Sequence, residues 1–433
     1  MTNLPRIAYY LANAMRRLHW NKKQMRKYQE KKLRFVVENA YRNVPFYNRK
    51  FKEAKIKPYD IRSLDDLSKL PITTKKELRQ AVPKELLSRE SNISSLSPIR
   101  TSGSTGHPFT FYINSKEMDW RKAIYMRANI SCGQKARDKW VVVTAPHHFS
   151  DTTNIQRRLG FYAQTCISVF ESVDAQANLI GKIKPDVLDG YSGSLMLLAK
   201  EISEKGQATV RPRLVFGSAD LIDESSVALM EKVFSVPYLD QFGCAEIDRS
   251  AWQCPEKIGY HMDVDSVITQ FVDEEGKDVS AGERGEVVYT SLFNSSMPFI
   301  RYAVGDVGIP SDDECSCDRK LPLMKVIEGR KDSLITLRNN LVISPRVLRL
   351  LVADFLQEFK QFRIVQKDLD LLEIYIEKNC NSTDHSKLSN EIVECLQRSL
   401  SLHDLKVVVE FVDKIPLGKN GKLMSVISEL QVS

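Results

Sequence analysis

Two groups of residues in this chain have types and spacings that could do chemistry. The stretch TSGSTG at 101–106 sets two glycines among four hydroxyl residues. Such a loop can offer hydroxyl donors and unhindered backbone N–H groups to an anion. It is not a Walker loop, because Gly106 is followed by His107 and Pro108 rather than lysine, and Phe109 to Asn114 then alternate apolar and polar residues as a strand does. From spacing alone, a phosphate site and a plain hairpin loop are equal readings. The second group is Cys254 and His261 in CPEKIGYH, with Cys315 and Cys317 in CSC some fifty residues on. One imidazole and three thiolates make a closed tetrahedral set, chemically a structural Zn²⁺ site rather than a catalytic one. The Cys-x-Cys spacing is tighter than in finger-type sites, and free buried cysteines with an unrelated histidine are the alternative. Cys244, in QFGCAE, has no basic group visibly paired to it and reads as a small packing residue, not a nucleophile.

The elements that must position these residues follow from hydrophobic patterning. From 139 onward, KWVVVTAP, QTCISVF, PDVLDGY, RLVFGSAD and VPYLDQFG are short apolar runs ending in Gly, Pro or Asp, separated by helix-like stretches such as 192–205 and 223–234. This predicts an α/β fold whose sheet is covered by helices on both faces and gathers ligands at the carboxyl ends of its strands. Between 261 and 310, HMDVDSVITQFVD, GEVVYTSLF and FIRYAVGDVG alternate like antiparallel or barrel strands. After EGRKDSLI the spacing predicts a helix near 345–358, strands near 361–366 and 371–377, a helix near 384–400 and a strand at 405–411, enough for a small α+β domain. The expected organisation is a basic helical arm at 1–50, a large domain at 51–330 and a small domain at 331–433. Thr73 or Thr74 in LPITTKKELR can cap a short helix.

Composition narrows the function classes. At 433 residues, 42% hydrophobic and 27% charged, the chain reads as a soluble globular protein of more than one domain. Eight scattered cysteines are too few for a disulfide framework, so a reducing cytoplasm is expected. No run approaches the roughly 18 apolar residues of a membrane span, and IAYYLANAM is too short for a secretory signal and is followed by basic residues. Residues 1–50 hold thirteen Lys or Arg against Glu30 and Glu38, a net +11, whereas the whole chain is +8. Ile7, Leu11, Ala14, Met15 and Leu18 recur there at helical spacing beside Arg16, Arg17, Lys22 and Lys23. That pattern suits an anionic membrane surface, and equally a helix docked on the protein body. No nucleic-acid-binding signature surrounds the charge, so nucleic acid is not an expected partner.

TSGSTG at 101–106, QFGCAE at 241–246, RYAVGD at 301–306, GRKD at 329–332 and PLGKNGK at 416–422 stand in one order along nearly the whole chain. Together they resemble the adenylate-forming superfamily of acyl-CoA synthetases and related ligases. NVPFYNRKF, LPITTKKEL and the CSC before GRKD resemble its phenylacetate-CoA ligase and capsular-polysaccharide (CapK-like) branch. The resemblance implies doubly wound sheets plus a distorted β-barrel in the large domain and a mobile small domain as lid. It implies an ATP-dependent ligase in which a carboxylate attacks the α-phosphorus, pyrophosphate leaves, and the acyl group passes to CoA or to an amine or hydroxyl acceptor.

Residue by residue, it casts Lys422 as the catalytic cation and Glu246 as a catalytic carboxylate that helps hold Mg²⁺, a hard cation suited to oxygen. Ser102, Gly103, Ser104, Thr105 and Gly106 would sleeve the phosphates of ATP, with Ser218, Phe242 and Gly243 at the nucleotide. Asp306 would accept the ribose hydroxyls with Arg330 as a donor, and Asp332 would be the hinge. His147 and His148 in PHHFS, with Tyr191, would line the acyl pocket. Some members of the branch carry zinc at the positions matching Cys254, His261, Cys315 and Cys317. Three departures stand out: VFGSADLI lacks the usual Gly-Gly-Glu, RNNLVISPRVLRLL has Asn339, Asn340 and Arg349 where relatives tend to have glycine and glutamate, and His107 replaces a common lysine. The second departure bears on CoA more than on adenylation. The competing expectations are an adenylyltransferase that leaves AMP on its product and a catalytically silent, membrane-associated scaffold. The basic arm and the capsule-associated relatives suggest work at the inner membrane face on a surface-polysaccharide precursor.

Overall fold

The structure, a computed structural model, describes residues 2–101, 109–149, 152–205, 210–338, 341–378, 384–400, 402 and 404–430. It divides into two compact units, each discontinuous in sequence: 1–133 with 241–327, and 134–240 with 328–433.

In the first unit, helices α1 (Leu4–Arg17) and α2 (Lys22–Asn43) open the chain. Asn3 caps α1 and Asn21 caps α2 through a capping box with Gln24, each accepting from an otherwise orphaned backbone N–H. α1 packs on α3 (Ser115–Ser131), with Ile7, Ala14 and Leu18 buried. Much of the apolar stripe is therefore covered by protein, in line with the reading of a helix docked on the protein body. Arg17, one of the cations beside the stripe, is itself buried, with Nε 2.6 Å from Asp265. Strands 267–272, 285–291, 302–311, 323–330, 260–262 and 248–253 form the sheet in that order, and the register is antiparallel wherever it pairs neighbours within this unit. The flanks of TSGSTG pair as a hairpin, Ser97–Arg100 against Thr110–Ile113, as the alternation predicted.

In the second unit, strands Leu214–Ser218, Val187–Tyr191, Trp140–Thr144 and Gln164–Ser168 lie side by side in that order, all parallel. Their continuous apolar runs suit burial on both faces, and Val141, Val143, Leu188 and Val215 are each at most 1% exposed. Helices α4 (Ser192–Glu204) and α5 (Glu224–Phe234) cover this sheet, contributing Leu195, Leu198, Met230 and Phe234 to its core. The C-terminal part is a second small layer: strands 406–412, 371–378, 359–368 and 426–428 in that order, covered by α6 (Pro345–Ala353) and the helix His385–Leu400. These elements match the predicted ones closely except at α6, which ends at Ala353 rather than 358.

Candidate active site and metal centre

In the second unit, Tyr191 and Ser218 close their strands at the carboxyl edge, and His147 and His148 lie just beyond Thr144 on the neighbouring strand. The His147 and His148 rings are 4.2 Å apart, and His148 stands 6.4 Å from the Tyr191 ring. Lys422 reaches this edge from the loop 416–422. The loop closes on itself through Gly418 N to Lys422 O at 2.9 Å and Gly421 N to Gly418 O at 2.8 Å. Gly421 has φ +77°, and a Cβ there would come within 2.4 Å of Val169 Cγ2, so only glycine lets the loop press this close. Leu423, the next residue but one, is buried in the core of the parallel sheet.

Lys422 Nζ donates to Ala219 O at 3.1 Å. Ala219 adopts φ +75°, a conformation unusual for a residue with a Cβ, in the segment where Gly-Gly-Glu was missing. The strained turn sends Asp220 to the N-terminus of α4, where Oδ2 accepts from Gly193 N at 3.1 Å. Burial raises the Asp220 carboxyl to about 6, with the Lys422 ammonium pulling the other way. Surrounding protein pushes His148 down to about 4, helped by His147 and Lys422, so it is a neutral donor or acceptor at physiological pH. The edge thus assembles one cation, one carboxylate, two imidazoles and a phenol. Sequence reasoning singled out all but Asp220, which lay unmarked inside the departure it belongs to. Arg330 ends the strand Leu323–Arg330, and Asp332 lies in the one-turn helix Lys331–Ser333.

The first unit holds a carboxylate site. Glu246 is 3% exposed, and its Oε1 lies 3.0 Å from Lys75 Nζ and accepts from Tyr302 Oη at 2.8 Å. Burial alone would raise its pKa, yet the Lys75 ammonium and the hydrogen bonds from Lys75 and Tyr302 win and hold it below the usual range. Lys75 was not singled out in the sequence. Its position follows from the capping box in which Thr74 accepts from Glu77 N, fixing Lys75 as the first residue of the helix Lys75–Gln80. An ionised, buried carboxylate suits a hard cation by donor type. Phe242 is half-buried, and Gly243 sits at a register shift where a Cβ would meet Asp248 O at 2.1 Å. Asp306 is buried, immediately after Gly305 at φ +83°. Cys244 is held well above its usual pKa by burial, with Glu246 and Asp306 adding to it, which disfavours its thiolate. Ser102, Gly103, Ser104, Thr105 and Gly106, with His107, lie outside the described residues.

The same unit brings the four predicted metal ligands together. Cys254 and His261 are fully buried, Cys315 and Cys317 half-buried, and their ligand atoms lie within 4.8 Å of one another. Cys254 Sγ is 3.6 Å from Cys315 Sγ, and Cys317 Sγ is 3.4 Å from His261 Nε2. A tetrahedral ion with sulfur ligands at ~2.3 Å spaces its ligands by just under ~4 Å, so the donor set fits zinc in both type and spacing. Burial, with Arg319 assisting, lowers His261 to about 4, the neutral state a metal ligand needs.

Residues 334–429 match the model of the CapK C-terminal domain. A phenylacetate-coenzyme A ligase of Thermus thermophilus is 25% identical, with 94% of this chain and 97% of that protein covered. Protein CapK of Staphylococcus aureus is 22% identical over 90% of this chain and 86% of its own. Among solved structures, 2-hydroxyisobutyryl-CoA ligase in the postadenylation state, in complex with R3-HIB-AMP, matches with a TM-score of 0.81 at 21% identity, covering 96% of this chain and 92% of that one. The expected likeness to adenylate-forming ligases of the phenylacetate-CoA ligase and CapK branch is thus found along nearly the whole chain, and the fold is that of an acyl-CoA ligase.

Proposed function

We propose that this enzyme, an adenylate-forming ligase, joins a carboxylic acid to the α-phosphoryl group of ATP with release of pyrophosphate, then transfers the acyl group to CoA or to an amine or hydroxyl acceptor. The observation that carries this reading is Lys422, delivered by the domain that matches CapK to the carboxyl edge of the parallel sheet, 3.1 Å from Ala219 O and beside Asp220, His148 and Tyr191. A carboxylate approaching a polyphosphate concentrates negative charge, and a cation held at a strand edge offsets it without reorganisation. The phenol and imidazoles give the acyl body a polar, aromatic wall. Glu246 would hold Mg²⁺, which supplies further neutralisation of phosphate charge when bound, and Lys75 stands ready beside it. Ser218, Phe242, Gly243, Asp306 and Arg330 belong to the nucleotide's share of the reading, Asp332 to the hinge. Cys254, His261, Cys315 and Cys317 would hold a structural zinc. The likeness to CapK supports a surface-polysaccharide precursor as the setting.

Pyrophosphate release measured across aryl, hydroxy, fatty, amino and sugar acids tests the reading. At least one acid should give turnover that Lys422→Ala lowers by a hundredfold or more, on the order of the loss when a preorganised charge-stabilising group is removed. No release with any acid, or full activity of the Lys422→Ala protein, would favour the silent scaffold. Release followed by a stable AMP-bearing product would favour the adenylyltransferase.

A further inference from the structure

Lys200 lies on α4 among the helix's buried residues and is only 9% exposed. Among the described residues its ammonium forms no ion pair with a carboxylate. It donates to Leu356 O at 2.7 Å, to Lys360 O at 2.9 Å and to Phe359 O, and it stands 5.5 Å from the centroid of the Phe359 ring. An ammonium has three N–H donors, and here each has a carbonyl. The Leu356 carbonyl lies in the turn after α6, and those of Phe359 and Lys360 open the strand 359–368. A side chain from the parallel-sheet part thus supplies donors to three backbone carbonyls of the small domain, where the turn after α6 enters the strand 359–368. Burial draws Lys200 down to about 8, against the pull of Glu204, Asp223 and Glu377, so it remains protonated at neutral pH.

A second buried contact joins the same two parts. Asp223 caps α5 by accepting from Ser226 N at 2.7 Å, and its other oxygen accepts from Arg349 Nη2 of α6 at 2.7 Å. The two side chains are 1% and 6% exposed, and Arg349 also donates to Ser425 Oγ, three residues from Lys422. Arg349 is one of the residues that depart from the pattern the resemblance implies.

We propose that Lys200, Asp223 and Arg349 are positioning residues: they dock the 334–429 domain on the 134–240 sheet in the orientation that brings Lys422 to Ala219. Docking by buried charges is specific, because any other orientation leaves a desolvated ammonium or guanidinium without acceptors. Removing one partner should loosen the docking while each part keeps its own core. The role of Lys422 rests on the proposed function; the docking does not.

The test uses the full chain without ligand and reads amide hydrogen exchange together with small-angle scattering, neither of which needs the acid to be known. Lys200→Met, which keeps the stem and removes the donors, should raise exchange in 416–423 at least tenfold and enlarge the scattering radius. The strands 187–191 and 214–218 should stay protected. Arg349→Met should act in the same direction, and Lys200→Arg should bring exchange in 416–423 back to within threefold of the natural protein. Exchange in 416–423 within twofold of the natural protein in both Met variants would overturn the proposal. So would a uniform rise throughout 134–240 and 328–433 in both, since the residues would then serve stability alone. If Lys200→Met fails to fold, Arg349→Met decides between these outcomes. A chain that releases no pyrophosphate yet shows the localised change would keep the docking and lose the catalytic reading.

Discussion

At the scale of single residues, the site rests on charges whose states are set by a few neighbours. Glu246 keeps its proton off only because Lys75 and Tyr302 outweigh its burial. Tyr302→Phe removes one hydrogen bond and should cost about 1 kcal/mol in denaturant unfolding, whereas Lys75→Met leaves a nearly buried carboxylate without its cation and should cost about 2 to 4 kcal/mol. Asp220 titrates near 6 in the folded chain and near its ordinary value of 3.8 when unfolded. Between those values the folded chain binds the extra proton, so this contribution is fully present below the lower pKa and is lost as pH rises through the upper one. Thermal or urea unfolding from pH 4 to 7 should therefore show a decline that Asp220→Asn lacks, about 1 to 2 kcal/mol after allowing for the solvent Asp220 still meets. Lys422, Glu246, Tyr191 and the histidine pair were legible because motifs carry them. Lys75, Asp220 and Ala219 were not, because their roles come from a cap, a helix terminus and a backbone strain that assemble only in three dimensions.

At the scale of elements, the zinc proposal makes a direct claim. Cys254 follows one strand, His261 lies on the next, and Cys315 and Cys317 sit in the loop after a third, so an ion there would tie together segments more than fifty residues apart. Metal analysis of purified protein should find about one zinc per chain, and a strong chelator should lower the unfolding midpoint by several degrees, roughly 2 to 4 °C per kcal/mol for a domain of this size. Cys317→Ser should lower zinc content and midpoint together; unchanged content would remove the site. This cluster was readable from residue types even though its pairing across strands was not. The helices and strands of the second unit were also largely readable, since each carries its own periodicity. The predicted end of α6 missed by several residues because 354–357 fold as a turn, with Phe355 N bonding to Val352 O and Leu356 N to Ala353 O instead of continuing the helical pattern.

At the scale of the whole molecule, charge is used internally as much as displayed. Arg127 is fully buried between Asp263 at 2.5 Å and Asp265 at 2.8 Å, with Arg249 on Asp263 at 3.2 Å and Arg17 on Asp265 at 2.6 Å. Part of the basic arm's net +11 is thereby spent on the fold of the first unit. Arg127→Met removes one of two cations from each of two buried carboxylates and should cost about 3 to 5 kcal/mol, whereas Arg17→Met removes one from Asp265 alone and should cost about half that; equilibrium unfolding distinguishes them. Composition showed the charge but not its partners, because three of these four ion pairs join residues more than a hundred positions apart and leave no trace in spacing. The discontinuous units were equally hidden: hydrophobic runs reveal strands, not which distant strand groups cohere. That discontinuity also sets an order in time. During synthesis Lys200 leaves the ribosome 156 to 160 residues before the carbonyls that will receive it. At about 5 to 20 residues per second, the nascent 134–240 segment waits about 8 to 30 seconds with a desolvation-prone ammonium uncapped. A chain stopped after residue 330 is therefore a permanent version of that interval, and its α4 should be a preferred binding point for chaperones.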